Sequence, residues 1–293
     1  MKKPTPARPE WQKPLEEGLH VVATPIGNAR DISLRALDVL KNCDAILVED
    51  TRNTAKLLAI HGISRPLIAY NDHNAPRVRP RILERLENGE RLALVSDAGT
   101  PLVSDPGYKL VREAIAAGVK VHAVPGASAV LAALVLSGLP TNQFLFVGFL
   151  PASRAARRAA LDELGNLRTT LIFFEAPQRL KETLEDMIFM LGEREAAVAR
   201  ELTKLHENVR RGNLQDLATF YENNPPRGEV TVIVGPAQPG KPDFRQVDAL
   251  LDKALAFMPL RAAVDLVSDG LNSPRKAVYA RALLRKDVHS HGA

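Results

Sequence analysis

Residues 91–118 read RLALVSDAGTPLVSDPGYKLVREAIAAG, and this stretch decides the fold. Leu92–Ser96 is an apolar run that predicts a strand. Asp105 as cap, Pro106 and an apolar repeat over Tyr108–Ala117 stopped by Gly118 predict a helix. Val119–Val124 then returns as a strand, so the unit is βαβ and the sheet mainly parallel. Between strand and helix, Gly99 and Gly107 allow backbone conformations closed to other residues, while Pro101 and Pro106 fix φ. Ligands of parallel sheets collect beyond the carboxyl ends of the strands. A rigid loop at that edge can offer backbone groups and Asp97 to a polar ligand.

Working outward, strands are expected at Val21–Ala23, Ala45–Val48 and Leu67–Tyr70, with helices at Leu34–Lys41 behind a Ser33 cap and at Val78–Glu87. A small-residue helix, Ala127–Gly138, and the break Leu139-Pro140-Thr141 lead into a second lobe. Its expected strands are Phe144–Gly148, Thr170–Phe174, Ala196–Arg200 and Glu229–Val234, with helices at Arg154–Leu164 and Arg179–Met190. The alternating, β-branched EVTVIVG predicts that part of this sheet is antiparallel. Gly235–Pro242 sustains neither element and reads as a linker. Beyond it, residues 245–288 predict helices around a turn at Gly270-Leu-Asn, with Ser273-Pro274 as cap and first-turn proline. The expected organisation is a flexible basic arm (1–17), an N-terminal α/β lobe (18–138), a C-terminal α/β lobe (139–236), and a linker with a helix-turn-helix-like tail (237–293).

Of the 293 residues, 45% are hydrophobic and 25% charged, enough for two real cores. The lone Cys43 excludes an internal disulfide and a cysteine-built zinc site, which fits a reducing, cytoplasmic setting. Ala129–Leu136, the longest apolar run, is far short of the roughly 20 residues a membrane span needs. The Pro-rich N-terminus has no apolar stretch behind its lysines, so it is not a secretory signal. A net charge of +5 suits an anionic partner, and equally a merely basic protein. From Lys241 to Ala293 there are nine Lys/Arg against six Asp/Glu.

The common nucleotide motifs are missing. No two glycines stand as G-x-G, and Gly235-x-x-x-x-Gly240-Lys241 imitates a P-loop but continues with Pro242. Pro125–Ala129 resembles a hydrolase nucleophile elbow, yet Val130 replaces its last glycine and His206 is the only plausible late histidine. A tight turn of small residues suits backbone approach to a ligand equally well. Three further polar loops follow strands: Thr24–Asn28, Glu49–Arg52 and Asn71–Asn74. Glu175-Ala176-Pro177 and Arg200–Lys204, with His206, Arg210 and Arg211 behind them, do so in the second lobe. Together these loops would line one cleft.

HVVATPIGN, VEDTR, LVSDAGTPLVSDPG, VPGASA, FFEAPQR, ARELTKLHE and RGEVTVIVG occur in that order. Over about residues 19–236 this series resembles the ribosomal RNA small subunit methyltransferase I family, the cytidine 2′-O-methyltransferase branch of the tetrapyrrole methylase superfamily. Asn74-Ala75 stands where the family pattern has an acidic residue, and Gln178 where it has His. The resemblance implies two α/β lobes with S-adenosylmethionine in the cleft between them, a helix-turn-helix tail and a homodimer. It places Pro25, Ser96, Asp97, Gly99, Val103, Ser128, Ala129, Glu175, Leu202 and Thr231 around the cofactor. The implied reaction is 2′-O-methylation of a cytidine in 16S rRNA of the small ribosomal subunit. A ribose hydroxyl is a poor nucleophile, so a base should help, and Asp50, His73, Glu201 and Lys204 are the candidates. Lys204 would need a depressed pKa to be that base; otherwise it stabilises the developing oxyanion or binds phosphate. Arg52, Arg154, Arg157, Arg158, Arg179 and Arg210 are expected on the RNA backbone. The alternatives are a methylase of a tetrapyrrole or other small substrate, and a non-enzymatic RNA-binding module.

Overall fold

A computed structural model of the chain describes residues 14–237, 244–271 and 273–289, in two units that divide between Pro236 and Ala237. The first unit holds two sheets. Its N-terminal lobe runs β1 (Gly18–Val22), α1 (Leu34–Asn42), β2 (Ala45–Val48), α2 (Thr51–Ile60), β3 (Leu67–Ala69), α3 (Ala75–Glu87), β4 (Arg91–Leu94), α4 (Tyr108–Ala116) and β5 (Val121–Val124). The strands are parallel, in the order β3-β2-β4-β1-β5. Alternation along β2 feeds both faces. Ile46 and Val48 pack on α1 and α2, while Ala45 and Leu47 pack with Ile82 of α3 and Leu110 of α4. β1 leads out to the β2 side, whereas β4 returns through α4 to β5 on the other side of β1. The chain therefore reverses its winding between β4 and β1, where such sheets open a ligand crevice.

The second sheet has β6 (Phe144–Phe149), β7 (Thr170–Glu175), β8 (Glu195–Arg200), β9 (Asn208–Asn213) and β10 (Val230–Val234), ordered β6-β7-β10-β8-β9. β6 and β7 are parallel, and every other pairing is antiparallel, in keeping with the alternating EVTVIVG. α6 (Arg154–Leu164), α7 (Leu180–Leu191) and α8 (Leu214–Asn223) cover one face through Leu161, Leu184 and Leu217. α5 (Ala129–Ser137) covers the other, setting Val130, Ala133 and Leu134 against Ile172, Ala197 and Ile233. The helix grouped by sequence with the first lobe thus packs on the second sheet.

Several expectations are corrected in detail. Thr51 and Arg52, read as the end of a polar loop, instead open α2, whose N-cap Asp50 accepts a hydrogen bond from Arg52 N. β9 and α8 were not expected at all. α4 begins one residue after Gly107, its N-cap, and no side chain caps it; Asp105 and Pro106 stand outside the helix. Of the arm expected over 1–17, residues 1–13 lie outside the described residues. Within 14–17, Leu15 packs on the first lobe's core and Glu16 pairs with Lys120 at 3.2 Å. Most of the expected linker, residues 238–242, also lies outside them.

The second unit contains α9 (Phe244–Leu255), α10 (Leu260–Gly270) and α11 (Arg275–His289). They share a core of Val247, Leu251, Val264, Val267, Val278 and Ala282. Arg281 and Arg285 of α11 pair with Asp248 and Asp252 of α9, and Arg275 pairs with Asp265 of α10 at 2.6 Å. Among the described residues no helix is long and apolar enough to cross a membrane.

Candidate active site

Loops after three strands of the first sheet are joined at the crevice. Thr24 and Gly99 exchange backbone hydrogen bonds of 2.8 and 3.1 Å, forming an isolated antiparallel bridge. The Thr24 hydroxyl donates to Ser96 O at 3.1 Å, and the Thr100 hydroxyl donates to Ala127 O at 3.3 Å. The loop after β4 is also strained. Leu102 and Ser104 have φ of 71° and 64°, a region that costs an L-residue roughly 1–2 kcal/mol. Gly107 has φ 129°, and a methyl group there would stand 2.9 Å from a Leu94 methyl, so glycine is required. Strain of this kind persists only when the surroundings over-determine the loop.

Opposite this loop lies the second sheet, and between them is a cavity of about 410 Å³. That volume is within the roughly 300–1,000 Å³ of small-molecule sites. The first lobe supplies Ile26, Gly99, Val103 and Asp105; the start of α5 supplies Ser128 and Ala129. From the second lobe come Phe149, Phe174, Glu175, Glu229 and Thr231. The wall is therefore mostly apolar, with three carboxylates. Glu175 is buried and held on every side: the Thr183 hydroxyl donates at 2.6 Å, Ala176 N donates at 2.8 Å, and the Arg179 guanidinium lies 3.5 Å away. Glu229 pairs with Lys204 at 3.0 Å. Burial raises the pKa of Asp105; a hydrogen bond from the Ser96 hydroxyl opposes this, and the charge of Asp97 adds to it. Glu49 behaves alike, raised by its burial and by the charges of Asp105 and Asp97.

Of the ten residues expected around a cofactor, Gly99, Val103, Ser128, Ala129, Glu175 and Thr231 line the cavity. Pro25 and Leu202 are buried outside its wall, although Ile26 beside Pro25 is part of it. Ser96 is buried, its hydroxyl shared between Ala98 O at 3.2 Å and the Asp105 carboxylate. Asp97 turns to α2, accepting from Asn53 Nδ2 at 2.7 Å and from Asp50 N at 3.2 Å. None of the four base candidates lines the cavity. Asp50 holds Arg52 at 2.7 Å, and that hydrogen bond lowers its pKa to about 2. His73 is exposed on the turn before α3. Glu201 is lowered by hydrogen bonds from the Glu229 backbone and from Lys204. Burial works against the charge of Lys204, but hydrogen bonds to Glu201 and Glu229 outweigh it and raise its pKa. Lys204 is thus an ammonium ion, which removes it as a base.

The arginines expected on RNA sit differently. Arg154, Arg157 and Arg158 of α6 converge on Asp186 of α7 at 3.1, 2.7 and 2.6 Å, and Asp186 is fully buried. Arg157 is only 1% exposed, so it holds α6 to α7 and cannot reach an RNA backbone. Arg179 donates to Leu150 O at 2.9 Å and to Pro151 O at 3.0 Å, tying the end of β6 to Glu175. Arg52 and Arg210 are exposed, the latter with its guanidinium 3.4 Å above the Phe220 ring. Asp105, Glu229 and the aromatic walls Phe149 and Phe174 were missed by sequence reasoning. Asp105 was hidden by its resemblance to a helix cap, Phe149 and Phe174 by their place in apolar strands, and Glu229 by standing just before one.

The tetrapyrrole (corrin/porphyrin) methylase family profile matches residues 18–218, and an RsmI C-terminal HTH domain profile matches residues 241–286. The chain is similar to ribosomal RNA small subunit methyltransferase I from Mesorhizobium japonicum, 47% identical over 282 residues, 96% of each chain. It is 49% identical to the Xylella fastidiosa protein of that name over 89% of this chain and 97% of the relative. Among solved structures it is similar to the cobalamin biosynthetic enzyme cobalt precorrin-4 methyltransferase (TM-score 0.57, 18% identity, 74% of this chain and 94% of that one). It is also similar to uroporphyrin-III C-methyltransferase from Thermus thermophilus complexed with S-adenosyl homocysteine (TM-score 0.52, 19% identity, 74% and 97% covered). At such identities the solved structures establish the fold, and the sequence relatives place the chain more closely. The chain belongs to the tetrapyrrole methylase family and, within it, to the ribosomal RNA small subunit methyltransferase I group.

Proposed function

We propose that the chain transfers a methyl group from S-adenosylmethionine to the 2′-hydroxyl of a cytidine in the 16S rRNA of the small ribosomal subunit. The observation that carries this reading is the cavity at the winding reversal, apolar but edged by Glu175, Asp105 and Glu229. Apolar walls suit an adenine, and the carboxylates of Glu175 and Glu229 suit a sulfonium and an ammonium. Relatives close to half identical over nearly their whole length carry the name of a small-subunit rRNA methyltransferase. Bound there, the cofactor supplies an electrophilic methyl group, and the protein supplies alignment. In this reading Gly99, Val103, Ser128, Ala129, Glu175 and Thr231 hold it. Phe149 and Phe174 exclude water. Lys204, fixed between Glu201 and Glu229 at 2.9 and 3.0 Å, keeps a positive charge beside the cavity wall for phosphate or a developing oxyanion.

A homodimer is part of the same proposal. α5 is apolar around its whole circumference but buries one side only, leaving Leu131 and Val135 52% and 70% exposed. The edge strand β6 likewise exposes Phe144 and Leu145. Unmatched apolar surface of this kind marks an association face. Light scattering on the eluting protein should give twice the chain mass, and Val135→Asp should halve it. A wild-type protein of single-chain mass would remove the dimer.

The function is tested by calorimetric titration with S-adenosylmethionine, followed by labelled-methyl transfer to small subunits lacking the modification. Saturable binding and labelled rRNA support the reading. Binding with label only on a small macrocycle would replace it with a small-substrate methylase.

A further inference from the structure

The proposed reaction must remove a proton from a ribose hydroxyl, and none of the side chains suggested by the sequence stands in the cavity to take it. Three carboxylates do line it. Glu175 is committed to Thr183, Ala176 N and Arg179, and Glu229 is committed to Lys204. Asp105 remains. It has no ion pair among the described residues, and it does not cap α4, whose N-cap is Gly107. Its position is fixed by the loop, and the neighbour its carboxylate engages is a neutral one, the Ser96 hydroxyl. Leu102 and Ser104 on one side have left-handed φ, and Gly107 on the other is packed against Leu94. The loop's base is tied to the Thr24–Gly99 bridge. Ser104, the preceding residue, sits against Gly148 at the end of β6, where an added methyl group would stand 3.3 Å from its hydroxyl. A carboxylate is thus presented to the cavity by a rigid loop, with a neutral hydroxyl beside it in place of a cation, and can exchange a proton.

We infer that Asp105 is the general base of the methyl transfer. This rests on the proposed function. The ribose 2′-oxygen forms its bond to the methyl carbon as the S–C bond breaks and its electron pair stays on sulfur. The hydroxyl proton passes to an Asp105 carboxylate oxygen and from there to solvent. The products are a 2′-O-methyl ribose, S-adenosylhomocysteine and one proton. The charged groups around Asp105 favour this role. Asp97 and Glu49 flank it on its own lobe, Glu175 and Glu229 face the same cavity, and Ser96 is its hydrogen-bonding neighbour. Burial and the Asp97 charge hold its pKa above the ordinary carboxylate value, which strengthens it as a base.

The test compares the full-length wild type with Asp105→Asn, which keeps size and shape. The measurements are S-adenosylmethionine affinity by calorimetry, single-turnover transfer to unmodified small subunits across pH, and a ¹³C-carboxyl NMR titration of the free wild type. The expected result is cofactor affinity within tenfold of wild type and a transfer rate lower by at least tenfold, nearer the 10²–10⁴ typical of general-base removal. The acid limb of the wild-type pH profile should vanish in the variant. The Asp105 carboxyl should titrate above about 3.9. A rate within tenfold of wild type, a cofactor affinity that falls with the rate, or an Asp105 titration at or below 3.9 would overturn the assignment. Failure of the wild type to label rRNA would instead sink the function on which it rests.

Discussion

Gly228 has φ +82°, and a methyl group added to it would stand 2.2 Å from a Glu201 carboxylate oxygen. Gly27 is as crowded, with its added methyl 2.5 Å from the Lys204 side chain. These two glycines clasp the loop of Glu201–Lys204, which itself carries left-handed Glu201 and Thr203. Gly228→Ala should therefore cost at least the roughly 1–2 kcal/mol of a left-handed L-residue. It should also displace Lys204 from Glu229. Urea unfolding checks the first effect, and an unchanged midpoint would show that the clasp is loose. Asp50 belongs to the same scale. Its pKa of about 2 means it is ionised throughout the working range and contributes no limb to a pH profile near neutrality. The sequence singled out Gly27, Asp50, Glu201, Thr203 and Lys204, because each sits in a short polar run after a strand, and gave Gly228 and Glu229 no role. It could not assign their roles. Whether a carboxylate is paired, buried or free depends on side chains far away in the chain, such as Lys204 on Glu229 and Asn53 on Asp97.

Helices α6 and α7 are joined by a buried charge cluster. Burial alone would raise the Asp186 pKa, but hydrogen bonds from Arg158, Arg157 and Arg154 outweigh it and lower it. A depressed carboxylate stabilises the fold above its unfolded value of about 3.9, and that stability is lost as pH falls through the lower folded value. Asp186→Ala should cost about 3–5 kcal/mol, the range for breaking a buried pair, because it strands the buried Arg157. Thermal unfolding at pH 7 checks this, and a near-neutral result would mean the cluster is more hydrated than its burial indicates. Elements with strong apolar periodicity were legible: Arg154–Leu164 and Ala45–Val48 fall where the pattern puts them. The missed elements are those whose pattern is polar or external. α2 opens as TRNT, and β9, NVRRGN, is an edge strand whose Arg210 lies over Phe220 while Arg211 donates to Leu136 O of α5. α8 follows directly from β9 and was obscured with it.

For the molecule as a whole, the order of loops along the chain was enough to indicate two lobes around one cleft, since each polar run follows a strand. The partner of each lobe was less legible, because α5 is apolar on all sides and its pattern does not say which sheet it covers. The tail's role in RNA binding is also less simple than its charge suggests. Arg275, Arg281 and Arg285 are in ion pairs with aspartates of the same unit, so removing them would test stability together with binding. Arg261 and Lys276 are exposed and make the better test. Neutralising both should reduce the salt dependence of RNA binding by roughly 0.7 in slope for each phosphate they neutralise in the wild type. An unchanged slope would confine the tail to a structural part. The central claim is tested most directly by incubating the full-length protein with methyl-labelled S-adenosylmethionine and unmodified small subunits, then digesting the rRNA to nucleosides for mass spectrometry. The account predicts label on the ribose of a single cytidine. Label on a base, on another nucleoside, or on no RNA at all would contradict it.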